Sequence, residues 1–293
     1  MAQTHNEILQ EKVSTISNLP TLPQIASRLL TTINDPATSA NDVAFLVSQD
    51  MSLSAKVLRL ANSAFYGIPR SITSITQAVV ILGMKVINTI VLSLTVFDMF
   101  PQDKNARLFN REAFWRHCLG CALISRMLAD TMKSFVIFDS EEAFGAGLLH
   151  DIGKVVMEQY FHDDFHKALI HARENNISFY DAEAETLGYT HADIARWLTE
   201  DWNLPQELRL PIIHHHNPSE CREYFDIVCL CHYADWLCYQ AEIVIDDSYA
   251  APALDEESVN TLTIDPHQIE RIRESIDAEL QKMSVFFDLA SGK

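Results

Sequence analysis

The sequence predicts an all-α protein, a compact multi-helix bundle, on three observations. Glycine and proline are scarce, 8 and 10 in 293 residues, which leaves little of the punctuation that frequent turns require. Apolar residues recur at spacings of three and four rather than two, the period of a helix with one buried face. Hydrophobic residues make up 48% of the chain, ample material for a core at this length.

Taken in order, Leu22, Ile25, Ala26, Leu29 and Leu30 make one helical stripe, with Pro20 and Pro23 at its entrance, where proline is tolerated. Leu53, Val57, Leu58, Leu60 and Ala61 continue the pattern. Ser74 caps a helix running to Leu82, Gly83 stops it, and a very apolar helix begins after Met84. A polar stretch from Gln102 to Arg107 reads as a connector. Seven further helices are expected: Arg111 to Met132, Ser140 to Tyr160, Asp163 to Asn175, Phe179 to Leu187, His191 to Trp202, Gln206 to His215 and Arg222 to Glu242. Between Gln240 and Glu270 there are eight acidic residues and no Lys or Arg. The first part of that stretch reads as an exposed, mobile acidic loop. Asp265-Pro266 then starts an amphipathic helix in which Ile269, Ile272, Ile276, Leu280 and Met283 share a face.

The formal charge of −18 argues against nucleic acid or anionic lipid as a partner. The most membrane-like segment, Val86 to Phe97, has 12 residues between Lys85 and Asp98. That is short of the roughly 20 needed to span a bilayer, so a buried core helix is expected. Met1 to Lys12 carries no apolar stretch ahead of a small-residue cleavage site. The six cysteines sit inside apolar helical patterns rather than in a loop-rich disulfide framework. Both features point to a reducing cytoplasm.

The sharpest local signal is Gly147-Leu148-Leu149-His150-Asp151-Ile152-Gly153-Lys154. An ionised carboxylate inside an apolar helix is costly unless a cation or several donors meet it. Adjacent side chains diverge by about 100° around a helix, yet His150 and Asp151 could converge on an ion at its edge. Further imidazoles and carboxylates gather in the same half: His117, His191, the run His214-His215-His216, and Asp235. A histidine taken singly is more often a satisfied core residue than a ligand, so the weight lies in the ordered set. Nitrogen and oxygen donors without an arranged thiolate suit iron, manganese, zinc or nickel, as one ion or two. Cys118 and Cys121 read as two small side chains packed on one helix face. Asn62 to Gly67 reads as a helix end turning at Gly67 beneath packed aromatics. Lys154 either positions a phosphate oxygen or pairs with Glu158, four residues on.

The order His117, His150-Asp151, His191, His215-His216, Asp235 resembles the metal-binding sequence of the HD superfamily of phosphohydrolases, and Lys154 matches the lysine that often follows there. The first half narrows this. Leu19-Pro20-Thr21-Leu22-Pro23, the run from Asp50 to Gly67, and Ile75 to Gly83, together with Trp202-Asn203-Leu204-Pro205, resemble the HDOD signature over roughly residues 15 to 240. The resemblance implies a helical bundle with a metal site between helices, divided as 1–103, an N-terminal helical half, 104–242, an HD-like half with the site, and 243–293, an acidic loop and final helix. It implies a bacterial signal-transduction protein acting through signalling partner proteins, with His117, His150, Asp151, His191, His215, His216 and Asp235 as metal ligands. The other implied reading is a metal-dependent phosphohydrolase, with Asp151 and Lys154 as catalytic groups acting on a phosphoester or (cyclic) nucleotide through metal-activated water. The related HD-GYP phosphodiesterases carry Gly-Tyr-Pro after the paired histidines. This chain continues Asn217-Pro218-Ser219, so that activity does not carry over.

Overall fold

The computed structural model of the chain describes residues 12, 21–33, 35, 37–101, 109–132, 138–246 and 248–290. Leu19, Pro20 and the connector from Gln102 to Arg107 lie outside them. Among the described residues all regular structure is helical.

The first five helices are α1 (Gln24–Ile33), α2 (Ala40–Ser48), α3 (Met51–Ala61), α4 (Ile75–Leu82) and α5 (Met84–Met99). Their starts are written locally. Ser39, Asp50 and Ser74 each accept a hydrogen bond from a backbone N–H three residues on, which satisfies donors that a helix start leaves unpaired. Gly83, at φ 94, breaks α4 from α5 as expected, and the pair bends by 119° there. No single helix among the described residues is long and apolar enough to cross a membrane. α3 ends at Asn62, whose amide donates to Ile72 O and accepts from Ile72 N. The chain then turns at Gly67 (φ 59).

The second half comprises α6 (Arg111–Thr131), α7 (Ser140–Leu149), α8 (Ile152–Tyr160), α9 (His162–Asn175), α10 (Phe179–Leu187), α11 (His191–Asp201), α12 (Gln206–His214) and α13 (Phe225–Gln240). α6 is the central element, packed against both α7 and α13, while α5 meets α7 across the junction of the halves. Gly147 permits the close α6–α7 approach, because a Cβ there would lie 2.8 Å from Ala122 Cα and Cys121 O. Cys118 and Cys121 are buried small side chains on α6, as expected.

Three expectations are corrected. The span from Ser140 to Tyr160 is two helices, broken at His150-Asp151, where Asp151 (φ −98, ψ 12) leaves helical geometry. α13 starts at Phe225 rather than Arg222, because Tyr224 adopts a left-handed conformation (φ 52). The acidic stretch after Gln240 is not an exposed loop: Ile243, Ile245 and Tyr249 are buried, and Asp246 pairs with Arg173. Its apolar residues hold it down. The chain closes with α14 (Glu256–Thr261), α15 (Pro266–Lys282) and α16 (Ser284–Ala290). α15 packs its Ile272, Ile276 and Leu280 face on the bundle, and α16 contacts α3, α5 and α6. Phe286 of α16 meets Phe65 at 5.6 Å between ring centres.

Candidate metal centre

The break at Asp151 solves the geometric difficulty that one straight helix would present. His150 closes α7 and Asp151 opens α8, so two consecutive side chains turn into one buried space instead of diverging. Gly153 is the second requirement: a Cβ there would lie 1.9 Å from His191 O, so only glycine lets α8 lie against the start of α11.

All seven residues predicted as ligands meet in this space. Two histidines face one oxygen of Asp151 and its neighbour Asp235. His117 Nε2 is 3.6 Å and His150 Nε2 3.4 Å from Asp151 Oδ2, and they lie 3.0 and 3.6 Å from Asp235 Oδ1. The others face the second oxygen: His191 Nε2 is 3.2 Å and His215 Nε2 3.5 Å from Asp151 Oδ1. His216 Nε2 lies 3.1 Å from His191 Nε2. Donor atoms thus form two groups, His117, His150 and Asp235 in one, Asp151, His191, His215 and His216 in the other. His214, the remaining member of the triple run, is outside both.

The backbone and one carboxylate hold the rings in orientation. His117 Nδ1 is 2.7 Å from Ile243 O, His150 Nδ1 2.7 Å from Gly147 O, and His215 Nδ1 2.9 Å from Ile212 O. His191 Nδ1 is 2.6 Å from Glu183 Oε2, which also accepts from the His191 backbone N–H. Each of these contacts is to an acceptor, so Nδ1 carries the proton and Nε2 presents a lone pair inward. Five inward atoms then have no hydrogen-bond partner: His117 Nε2, His150 Nε2, His215 Nε2, Asp151 Oδ1 and Asp235 Oδ1. Buried polar atoms left unpaired are rare and costly. Ligands about 2.0–2.2 Å from an ion stand roughly 3.0–3.4 Å from each other, the spacing seen here. The residues fit a divalent transition ion.

The electrostatics divide the imidazoles. Burial works against charge on Asp151, but His150 and Lys154 beside it hold the carboxyl well below its ordinary value. Burial likewise opposes charge on Asp235, and His117 and His150 hold it low. Burial takes His215 down to about 4, with His150 and His191 adding repulsion, and takes His216 well down too. Burial opposes charge on His150 and His191 as well, but Asp151 beside the first and Glu183 beside the second raise both above the ordinary imidazole value, so a bound cation would take the place of those protons. Lys154 is buried with Nζ 2.7 Å from Asp151 Oδ2. The expected alternative, pairing with Glu158, is not realised, because Glu158 pairs with Arg111 at 2.5 Å.

Four contributors were not foreseen. Glu183 had a readable signal, an acid on the same face of α10 as Phe179 and Ala182, all buried. Ile243, which offers only its carbonyl, had none. His232 donates from Nδ1 to His215 O at 2.6 Å and accepts from Asp255 N at 2.9 Å. Tyr249 is buried near Lys154, and burial pushes its phenol up to about 12.

An all-helical body with a buried His/Asp cluster split between helix ends defines the class. The family description "HDOD domain" matches residues 19–218, and the chain belongs to the HDOD domain family. An HDOD domain protein of unknown function from Geobacter sulfurreducens is 27% identical, with a TM-score of 0.74 over 97% of this chain and 96% of that one. A protein from Marinobacter aquaeolei, provisionally named a signal transduction protein, is 22% identical with a TM-score of 0.81, over 98% of this chain and 66% of that one. That likeness shows the fold. An uncharacterized protein of Treponema pallidum is 26% identical over 215 residues, 73% of this chain and 40% of that protein's length.

Proposed function

We propose that this HDOD protein is a cytoplasmic signal-transduction module built around a centre for one or two divalent transition ions, and that it acts through partner proteins. His117, His150 and Asp235 would hold one ion and His191, His215 and His216 a second, with an oxygen of Asp151 available to each group. The observation that carries the reading is the division of Asp151, with Oδ2 toward one histidine group and Oδ1 toward the other. The donors other than His216 are buried, with the Ile243 carbonyl on His117 and the buried Tyr249 near Lys154. A closed centre of this kind favours a stabilising or signalling role over rapid turnover. Elemental analysis of tag-free protein purified without chelator tests it, beside Asp151→Ala. Near-stoichiometric metal in the wild type and its loss in the variant are expected. A wild type that stays empty after incubation with iron, manganese, zinc and nickel would sink the reading.

The buried Lys154 favours a second reading, metal-dependent hydrolysis of a phosphoester. When bound, divalent ions supply Lewis acidity and a nucleophile from water at neutral pH. Lys154 would hold a phosphoryl oxygen through Nζ, with Asp151 fixing the ammonium in place. A screen of cyclic dinucleotides, nucleotides and simple phosphodiesters with metal-loaded protein decides it. Turnover lost in both Asp151→Ala and Lys154→Met supports hydrolysis, and none across the panel removes it.

A further inference from the structure

We infer that a groove at the start of α13 docks a basic, partly apolar, extended peptide segment of a partner protein. Two neighbouring cavities, of about 720 and 400 Å³, share Arg222 and Phe225 as their common wall. Phe138, Tyr224 and Phe225 line the larger one, interleaved with Glu207, Glu223 and Asp226. The smaller continues past Cys221 to Asp255 and Glu257. Because the two cavities share a wall, one occupant can span both.

The lining states the chemistry of the occupant. Arg222 is the one cation among the described lining residues, against six carboxylates. Glu142 pairs with Lys85. Among the described residues, Glu207, Glu223 and Asp226 have no Lys or Arg within ion-pair distance. Tyr224 is 46% exposed, a large aromatic left in water at the groove's edge. Aromatic faces flanked by carboxylates bind guanidinium and ammonium groups through cation–π contact and charge-assisted hydrogen bonds. The overall charge of −18 adds attraction at a distance. Much of the wall, Ser219 to Asp226 and Asp255 to Thr261, lies after residue 218, where the family match ends. The occupant would lie partly on this C-terminal surface. It also rests on the segment whose Asp255 N–H holds His232, and His232 in turn holds the His215 carbonyl.

The test uses fluorescence anisotropy on the full chain, with a labelled eight-residue peptide of alternating arginine and leucine. Saturable binding is expected, weakened at least about tenfold by Glu207→Lys with Glu223→Lys. It should change less than about twofold in Glu274→Lys with Asp277→Lys, which alters net charge equally on an exposed face of α15. Replacing leucine by glycine should cost at least about fivefold. Circular dichroism melting of both double variants confirms that they fold. Equal losses in the two double variants would reduce the effect to the general acidic field and overturn the proposal, as would absence of saturable binding. Displacement by spermine over the peptide's own concentration range would also overturn it, making the site one for a small polyamine.

Discussion

Two clusters of buried charge lie seven residues apart along α8, and they are finished differently. At the far end Glu158 pairs with Arg111 at 2.5 Å, and the same guanidinium donates to Phe100 O and Pro101 O. Protein atoms complete that cluster except for Arg111 Nε. At the near end, around Asp151, five inward-facing atoms converge without partners. The first cluster is a joint, tying the end of α5 to α6 and α8. The second is a receptacle, a group of His and Asp donors that could hold a metal ion. Burial alone does not distinguish the two; hydrogen-bond completeness does.

The comparison breaks first at the joint. Arg111→Ala leaves Glu158 buried without its partner, and denaturant unfolding should show a loss of about 3–5 kcal/mol. Arg111→Met with Glu158→Leu should recover most of it, since removing both charges leaves none uncompensated. Gly153→Ala comes next. Its Cβ would meet the His191 backbone, which cannot rotate away, so a stability loss of about 3 kcal/mol is expected, together with weaker metal uptake. A joint equal in cost to this contact, or a variant that melts like the wild type, would contradict the packing described.

The receptacle should respond to ligand where the joint does not. Metal at about 100 times its dissociation constant should stabilise the wild type by about 2.7 kcal/mol, measured by thermal shift, and should leave Asp151→Ala unmoved. Glu183→Gln should weaken metal binding about 10- to 100-fold while the far-ultraviolet spectrum stays the same, because it loosens His191 without removing a donor. The smallest effect is the pH dependence of the metal-free protein. His215 takes up its proton only near pH 4 when folded, against an ordinary value of 6.5. Its contribution is therefore complete above about 6.5 and lost as pH falls toward 4. His215→Asn should flatten that part of the stability curve.

Much of this was readable before any coordinates. The helix starts at Ser74, His191 and Gln206 followed from capping and periodicity, because those signals act within one turn. That the seven candidate ligands gather in one place was legible from their order and from the resemblance to the HD superfamily. Glu183 and His232 escaped because a second layer of hydrogen bonds leaves only single polar residues among apolar ones. The acidic stretch misled because its carboxylates outnumber Ile243, Ile245 and Tyr249, the residues that anchor it.

By itself, then, the sequence determined the helical class, most helix boundaries, the presence of a histidine and aspartate set in one half, and the net charge of −18. These depend on periodicity, local capping and composition, all of which are carried by neighbours along the chain. Tertiary structure alone decided that the helix breaks at His150-Asp151, that Asp151 divides its two oxygens between two histidine groups, that Lys154 turns to Asp151 while Arg111 takes Glu158, and that Ile243 lends its carbonyl to His117. Each of those choices is a competition between partners tens of residues apart, and only packing brings the competitors within reach of one another.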